Sequence, residues 1–230
     1  PVLSLITNFD DLDPLSNEPD VTVEMVRPGC ALPGDADLVL MPGSKSTIAD
    51  LEYFRAQGWD LDLQAHHRRG GRILGLCGGY QMLGHKITDP QGMESKQSAV
   101  EGLGLLNIHT EMRPEKTVAL TEAVYLPTGD RVSGYEIHIG QTAGPDCARA
   151  WLQIGDRPEG AASPDGQVMG CYLHGLFSSD QFRASFLRDF GVASCSQYDH
   201  DVDQVLHKLA EQLEVQLDLD RLLSLAQPVV

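Results

Sequence analysis

Compact apolar runs and helix-like stretches alternate in the first third of the chain, and this alternation most constrains the fold. Asp37–Met41 and Arg72–Leu76 are short apolar runs close to glycine and proline, as buried strands often are. Thr47–Gln57 and Leu61–Arg69, which lie between them, carry apolar residues at helical spacing. Strands joined through helices lie parallel, and their sheet needs helical cover on both faces. The pattern predicts an α/β protein with a mostly parallel central sheet flanked by helices.

The remaining apolar patterns extend this fold at both ends. Two further strands are predicted near the N-terminus, at Val2–Ile6 and Val21–Val26. Residues 88–104 are polar and rich in glycine, which predicts a long loop. The strands predicted after this loop form an antiparallel excursion and cover Leu105–Thr110, Thr117–Leu126, Arg131–Ile139 and Arg149–Ile154. A last strand and the C-terminal helices are predicted at Gln167–Leu173, Ser179–Phe190, the stretch that begins near Val202, and Asp218–Leu225. We expect a single domain over residues 1–230.

The charge balance and the cysteine content exclude several classes of function. The chain has 17 Lys and Arg against 33 Asp and Glu, a net charge of −16. A negative field of this size repels nucleic-acid backbones and anionic lipid surfaces. No apolar stretch approaches the roughly 20 residues that span a bilayer. The five cysteines are odd in number and lack the spacing of a zinc site. We therefore expect a cytoplasmic protein with free thiols, no metal site, and no nucleic-acid or membrane partner.

The segment GLCGG at residues 75–79 predicts a reactive cysteine. It follows a predicted strand and precedes a stretch that is compatible with a helix. Glycines on both sides of Cys77 suit the sharp, strained turn of a nucleophile elbow. The N-terminus of a following helix favours a thiolate, and the N–H of Gly78 is then free to hold an oxyanion. The alternative interpretation is a small buried residue at a tight turn.

A cysteine nucleophile needs a base, and two of the eight histidines lie in suitable positions. His174 comes directly after the predicted strand Gln167–Leu173, where side chains project from the end of a sheet. His138 lies inside a predicted strand, where packing is the commoner role for a histidine. His174 is therefore the first candidate for the base and His138 the second.

Four motifs resemble, in their order, those of the class I (triad-type) glutamine amidotransferases: LMPGSKSTIADL, GLCGGYQMLG, VSGYEIHIGQT and YLHGLF. More narrowly, they are similar to the glutaminase domain of the cobyric acid synthase family. The opening SLITNFDDLDPLSNEPDV and the closing LDLDRLLSLA also resemble the start and end of that domain. The resemblance thus covers essentially the whole chain, and it implies the flavodoxin-like fold of this class.

The resemblance implies a division of labour among the motif residues. Cys77 would attack the side-chain amide of glutamine, and His174 would act as base and then as acid. The oxyanion hole would use the N–H of Gly78 and that of Gly43, and Gln81 would contact the substrate. The other substrate-binding residues that the resemblance implies are Ser44, Tyr135, Glu136 and His138.

One position departs from the commoner enzymes of this class, in which a glutamate two residues after the histidine orients the imidazole. Here that position is Leu176, which cannot accept a hydrogen bond. The cobyric acid synthase family resembles this sequence in the departure. The orienting group is left open between Glu136, Asp10 and a backbone carbonyl. Without a strong orienting carboxylate, we expect a modest resting glutaminase rate that a partner domain raises.

The resemblance also implies partners. In the family, an ATP- and magnesium-dependent synthetase domain precedes the glutaminase on the same polypeptide and uses the ammonia. The chain begins at Pro1 and reaches its first predicted strand at once, so we expect an excised glutaminase domain with no cofactor of its own. The acceptor would be a corrinoid, whose carboxylates are amidated in the cobalamin pathway.

Four alternatives stay open. Two are glutaminase subunits, one for cobyrinic acid a,c-diamide synthesis and one for amidation of a peptidoglycan lipid precursor. The third is a non-catalytic regulatory module of the same fold. The fourth is a general cysteine hydrolase that acts on other substrates.

Overall fold

The computed structural model describes residues 11–95, 97–195 and 197–225. The α-helices in this part of the chain are α1 (Asp13–Ser16), α2 (Thr47–Ala56), α3 (Trp59–Arg68), α4 (Gly78–Leu83), α5 (Asp180–Arg188), α6 (Tyr198–Gln216) and α7 (Leu219–Leu225). The strands are β1 (Leu38–Met41), β2 (Arg72–Leu76), β3 (Lys86–Thr88), β4 (Ala99–Glu101), β5 (His109–Tyr125), β6 (Asp130–Ala143), β7 (Leu152–Ile154), β8 (Arg157–Glu159), β9 (Ala161–Ala162), β10 (Val168–Cys171) and β11 (Leu173–His174). Short 3₁₀ helices cover Pro145–Arg149 and Leu176–Ser178.

The first sheet has the strand order β1-β2-β10-β9. β2 lies between β1 and β10 and pairs with both in parallel, whereas β9 runs antiparallel at the edge. α2 and α3 connect β1 to β2, as the sequence predicts. The predicted α/β fold, with its mostly parallel sheet, is confirmed.

Both faces of this sheet are covered. Successive residues of β2 point to opposite sides of the sheet, and they belong to two different buried clusters. Ile73 belongs to a buried cluster that contains Leu51 of α2 and Leu63 of α3. Leu74 belongs to a second buried cluster that contains Phe182 of α5. A strand buried on both faces needs an apolar residue at nearly every position, which explains the continuous run RILGL.

The predicted antiparallel excursion is a second sheet, built on a long hairpin of β5 and β6. Its order is β11-β6-β5-β3-β4, with β7 beside β5 and β8 beside β7. The prediction of separate strands at Leu105–Thr110 and Thr117–Leu126 is wrong, because β5 is one strand. Its register with β6 shifts between Glu111 and Lys116, so a bulge takes up residues 112–115 and hides the continuity of the strand.

Four other predictions about strands and loops need correction or lie outside the described residues. Val21–Val26 alternates between partly buried and exposed positions but pairs with no strand within the described ranges. The expected loop over residues 88–104 contains β4, and the expected strand Arg149–Ile154 is strand only from Leu152. The strand predicted at Val2–Ile6 lies outside the described residues.

The predicted strand Gln167–Leu173 divides at Tyr172, and this division positions the site. β10 runs in the parallel sheet beside β2, whereas β11 pairs antiparallel with β6 in the second sheet. The chain therefore changes sheets directly before His174. This places the histidine where the carboxyl end of the parallel sheet meets the hairpin.

Candidate active site

Cys77 occupies the turn between β2 and α4. Its φ is 49° and its ψ is −109°. Among the described residues, Cys77 is the one residue other than glycine with a positive φ. Such a conformation costs free energy for a residue with a Cβ and is found mainly at functional sites. The Cys77 N–H donates to the carbonyl of Cys171, at 2.8 Å, which ties the turn to the end of β10. The strand-to-helix turn predicted from GLCGG is therefore present and strained at the cysteine.

The glycines of this turn are needed for close packing against the end of β1. A Cβ on Gly78 would lie 2.9 Å from the backbone nitrogen of Ser44, and a Cβ on Gly79 would lie 2.1 Å from the carbonyl oxygen of Met41. Real Cβ atoms do not approach backbone atoms so closely. The turn Pro42–Ser44 thus lies directly against the elbow, because the parallel strands β1 and β2 end at the same edge of the sheet.

His174 lies in the last position of β11 and is only 1% exposed. Its ring stacks on that of Tyr135, the residue opposite it on β6, with 5.2 Å between the ring centroids and 16° between the planes. The Nε2 atom makes no hydrogen bond with any residue of the described ranges. Cys77 is nevertheless one of the groups that raise the pKa of this imidazole. One nitrogen of the ring is therefore available to exchange a proton with the sulfur.

The other ring nitrogen is held by Asp11. Its Oδ2 lies 2.7 Å from Nδ1 of His174, and its Oδ1 accepts from the N–H of Gly175, also at 2.7 Å. Both side chains are buried, with 0% exposure for Asp11. Two bonds to adjacent groups fix the carboxylate, and the carboxylate fixes the plane and the tautomer of the imidazole.

Asp11 resolves the question of the orienting group, which the sequence left open. Glu136, one of the three candidates, is paired with Arg157 instead. Asp10 lies outside the described residues, and a backbone carbonyl does not take this place. The prediction that no strong carboxylate orients the imidazole is wrong. The role that a glutamate at position 176 has in the commoner enzymes is filled here by Asp11, which lies far away in the sequence. The acidic segment FDDLD is the signal that could have suggested it.

Asp11 and Cys77 together change the ionisation of His174. Burial by itself disfavours the imidazolium, but the hydrogen bond to Asp11 and the interaction with Cys77 outweigh it and raise the pKa of His174 to about 10. The imidazole is then protonated at neutral pH. A buried proton donor therefore lies beside the candidate nucleophile, so the pair is suited to attack on a carbonyl carbon and to protonation of the leaving group.

Gln81 lies in α4, one turn after Cys77, and is 2% exposed. Its Oε1 accepts from the hydroxyl of Thr47, at 2.9 Å. Its Nε2 donates to the carbonyl of Ile139, at 2.9 Å, and to the hydroxyl of Tyr172, at 3.2 Å. Gln81 thus joins α4 to α2, β6 and the segment between β10 and β11. Its assignment as a substrate contact stays a prediction.

The strand segment YEIH presents its side chains to two different regions. Tyr135 stacks on His174, whereas Glu136 accepts two hydrogen bonds from Arg157, at 2.9 and 2.8 Å. His138 stacks on Tyr172, with 3.8 Å between centroids. His138 and then Arg157 hold the pKa of Glu136 below its usual range. Sequence reasoning missed Arg157, because no local pattern connects β8 with β6.

Ser44 and Gly43 lie in the turn after β1, next to the elbow. The Ser44 hydroxyl donates to Asp50, at 2.5 Å, and accepts from the N–H of Ser46, at 3.1 Å. These bonds fix the turn to the first helical turn of α2. The roles of Gly43 in the oxyanion hole and of Ser44 at the substrate stay predictions, and the contact of Ser44 with Gly78 is compatible with both.

The described ranges contain neither a candidate metal centre nor a membrane-spanning helix. No three His, Cys, Asp or Glu side chains in these ranges form a group that could hold a metal ion. No helix there is long and apolar enough to cross a membrane.

Comparison with known proteins gives consistent results. Residues 1–182 match the family model described as the CobB/CobQ-like glutamine amidotransferase domain. The chain is 60% identical over 229 residues to a cobyric acid synthase of Ruegeria sp. (strain TM1040), a match that covers 100% of this chain and 48% of that protein. It is 58% identical over 227 residues to a cobyric acid synthase of Paracoccus denitrificans (strain Pd 1222), covering 99% of this chain and 47% of that protein.

The fold also resembles a solved one. A chain in the structure of PurLQS from Thermotoga maritima superimposes with a TM-score of 0.61 and 15% sequence identity, covering 82% of this chain and 96% of that one. At this identity the likeness concerns the fold alone. The chain spans about half the length of the curated relatives that it matches.

Proposed function

Since this chain belongs to the CobB/CobQ-like glutamine amidotransferase domain family, we propose that Cys77 and His174 hydrolyse the side-chain amide of glutamine. The arrangement around His174 carries the proposal. His174 is held at Nδ1 by Asp11, keeps Nε2 without a hydrogen bond to the described residues, and interacts with a cysteine in a strained turn. A structural cysteine at a tight turn needs none of these features.

The reaction has two steps. In the first, the Cys77 thiolate attacks the amide carbon, and the N–H of Gly78, with one from the turn at Gly43, stabilises the resulting oxyanion. The carbon–nitrogen bond breaks as the imidazolium of His174 gives its proton to the departing ammonia, which leaves a γ-glutamyl thioester. In the second, neutral His174 takes a proton from water, which attacks the thioester and releases glutamate and the thiolate.

Asp11 and Tyr135 are positioning residues in this scheme, because they act through the imidazole. The Asp11 carboxylate stabilises the imidazolium and keeps a proton on Nδ1, so that Nε2 is the atom that exchanges a proton with sulfur and substrate. The stacked Tyr135 ring limits rotation of the imidazole about its side-chain bonds. We assign Gln81, Ser44, Glu136 and His138 to the glutamine pocket, as the motifs imply.

The curated relatives suggest what the ammonia is used for. They are named cobyric acid synthase and are about twice as long as this chain. We propose that the chain works in the cytoplasm with a synthetase half, which uses ATP and magnesium to activate carboxylates of a corrinoid such as adenosylcobyrinic acid a,c-diamide. The names of these relatives favour this acceptor over cobyrinic acid or a peptidoglycan lipid precursor.

Conversion of glutamine to glutamate tests the proposed chemistry. We expect Cys77→Ala and His174→Ala to abolish ammonia release while the circular dichroism spectrum stays that of the wild type. Cys30→Ala is the matched control, since Cys30 is an exposed free cysteine, and it should keep full activity. Near-normal activity of either site variant, with or without the synthetase half, would contradict the assignment.

A further inference from the structure

The outer side of the β5–β6 hairpin carries exposed apolar side chains. Along β5, the exposed side chains include Val118 at 68% and Leu120 at 93% exposure, whereas Thr121, Ala123 and Tyr125 are buried on the inner side. A sheet with one solvated face normally places apolar residues inside and polar residues outside. This strand departs from the rule because its outer side is also apolar, so that side has the composition of a surface that another protein covers.

The term outer face is used here for the surface formed by Val118, Leu120 and Val124 on β5 and by Tyr135 and Ile137 on β6. Directly opposite residues of an antiparallel pair lie on the same side of the sheet. Leu120 is opposite Tyr135, and Val118 is opposite Ile137. The outer face is therefore one continuous strip across the two strands.

The outer face leads directly to the catalytic pair. Tyr135 is opposite Leu120 on one side and opposite His174 on the other, so these three residues form a row across β5, β6 and β11. In the neighbouring row, the carbonyl oxygen of Ile137 lies 3.5 Å from the Cys77 sulfur. A protein that covers Leu120 and Val118 would thus lie at the border of the site where ammonia is formed.

We propose that the outer face is the docking surface of the ATP-dependent synthetase half. This inference rests on the proposed function. The partner surface would be apolar, with a cationic or hydrogen-bond-donating group opposite Glu122, the charged residue in the segment TVALTEAVYL. Glu122 is exposed and lies between Leu120 and Val124 along the strand.

Two observations favour this occupant over a second copy of the chain. The curated relatives contain about as many residues again as this chain supplies, so a covering half exists in their polypeptide. Ammonia that escapes into water is protonated and loses its nucleophilicity, so the surface next to the site has to be closed by the half that uses it. A second copy of the glutaminase would close the same border without offering an acceptor.

Hydroxyl-radical footprinting tests the docking directly, because it measures the exposure of single side chains and needs no catalysis. We would compare this chain with the full-length polypeptide that contains both halves. Oxidation of Leu120 is expected to fall by about tenfold in the longer polypeptide, since the centre of an interface excludes water. Leu61, an exposed leucine of α3 at 65%, is the internal control and should be oxidised equally in both.

Two footprinting outcomes would overturn the proposal. In one, Leu120 is oxidised as fast in the full-length polypeptide as in this chain. In the other, its oxidation falls with rising concentration of this chain alone, together with a doubled mass in light scattering, which identifies a second copy as the occupant.

A variant separates the docking from the chemistry. In the full-length polypeptide, Leu120→Glu should lower the amide formed per glutamate released by about tenfold, because a charge at the centre of an apolar interface opens it. Amidation driven by added ammonium chloride should not change, and the matched variant Leu61→Glu should behave as the wild type. If Leu120→Glu keeps the wild-type ratio, the docking proposal fails while the glutaminase stands. If Cys77→Ala releases glutamate as fast as the wild type, the proposed function itself fails.

Discussion

The substitution Asp11→Asn tests how the active site is supported. Asparagine has the same shape as aspartate, and its side-chain oxygen can still accept from the N–H of Gly175. Its amide nitrogen, however, donates where the carboxylate accepts. The ring of His174 then takes the tautomer with its proton on Nε2, and that nitrogen can no longer receive the proton of Cys77.

The magnitude follows from the pKa of His174. The raised value of about 10, against 6.5 for an ordinary histidine, corresponds to roughly 5 kcal/mol in favour of the imidazolium. Asp11 and Cys77 share this stabilisation, and burial opposes it. Loss of the carboxylate and the change of tautomer should together lower kcat by up to about 10⁴-fold, the loss known for the analogous change in a serine protease.

A pH profile of glutamine hydrolysis is the assay. The wild type should stay active up to about pH 10, where His174 loses its proton. In Asp11→Asn, the alkaline loss of activity should move towards neutral pH, a shift that a merely structural defect does not cause. Asp13→Asn, which changes an exposed carboxylate of α1, is the matched control. A variant that keeps kcat within threefold of the wild type, with the same alkaline limb, would refute the role given to Asp11.

Three further predictions concern the elbow, the departure from the class and the pH dependence of stability. Gly79→Ala should destabilise the fold by about 3 kcal/mol or more, because the added Cβ meets a backbone oxygen of β1. Gly34→Ala, whose Cβ meets no neighbouring atom, is the control and should leave the free energy of unfolding in urea unchanged. Leu176→Glu should unfold the protein or lower its Tm rather than raise its activity, since this position is 0% exposed. His174→Asn should lower the free energy of unfolding most below pH 6.5 and progressively less as pH rises to about 10. A pKa that folding raises stabilises the folded state fully below the unfolded pKa, and this contribution is lost by the pH at which the folded group deprotonates. Urea unfolding of wild type and variant at pH 6 and pH 10 would show this convergence, and a constant difference would contradict it.

The parallel half of the fold can be predicted from sequence, and the hairpin only in part. β2 is buried on both faces, so it appears as a continuous apolar run with glycines at its ends. β5 is mostly exposed, and the bulge after Glu111 interrupts its alternation, so it looks like two strands. Val21–Val26 alternates like a strand without pairing as one, because alternation reports which side chains are buried and not whether a neighbouring strand is present.

The site divides in the same way between local and distant signals. Cys77 lies in a local glycine pattern and His174 directly after a strand, and both can be recognised from a few neighbouring residues. Asp11 contacts His174 across 163 positions of the sequence, and Arg157 reaches Glu136 from another strand. These partners depend on the tertiary arrangement alone. The residue at position 176 therefore carries no sign of the carboxylate that orients the imidazole.

Covalent trapping of Cys77 tests the central claim most directly. The chain would be incubated with the glutamine analogue 6-diazo-5-oxonorleucine, and the modified peptide would be identified by mass spectrometry, with and without the synthetase half. We expect one adduct per chain, on Cys77, with loss of glutaminase activity in the same proportion and no labelling of exposed Cys30 or Cys195. A chain that hydrolyses glutamine with Cys77 unlabelled, or that never labels even with the synthetase half present, would contradict the assignment of Cys77 as the nucleophile of a glutaminase.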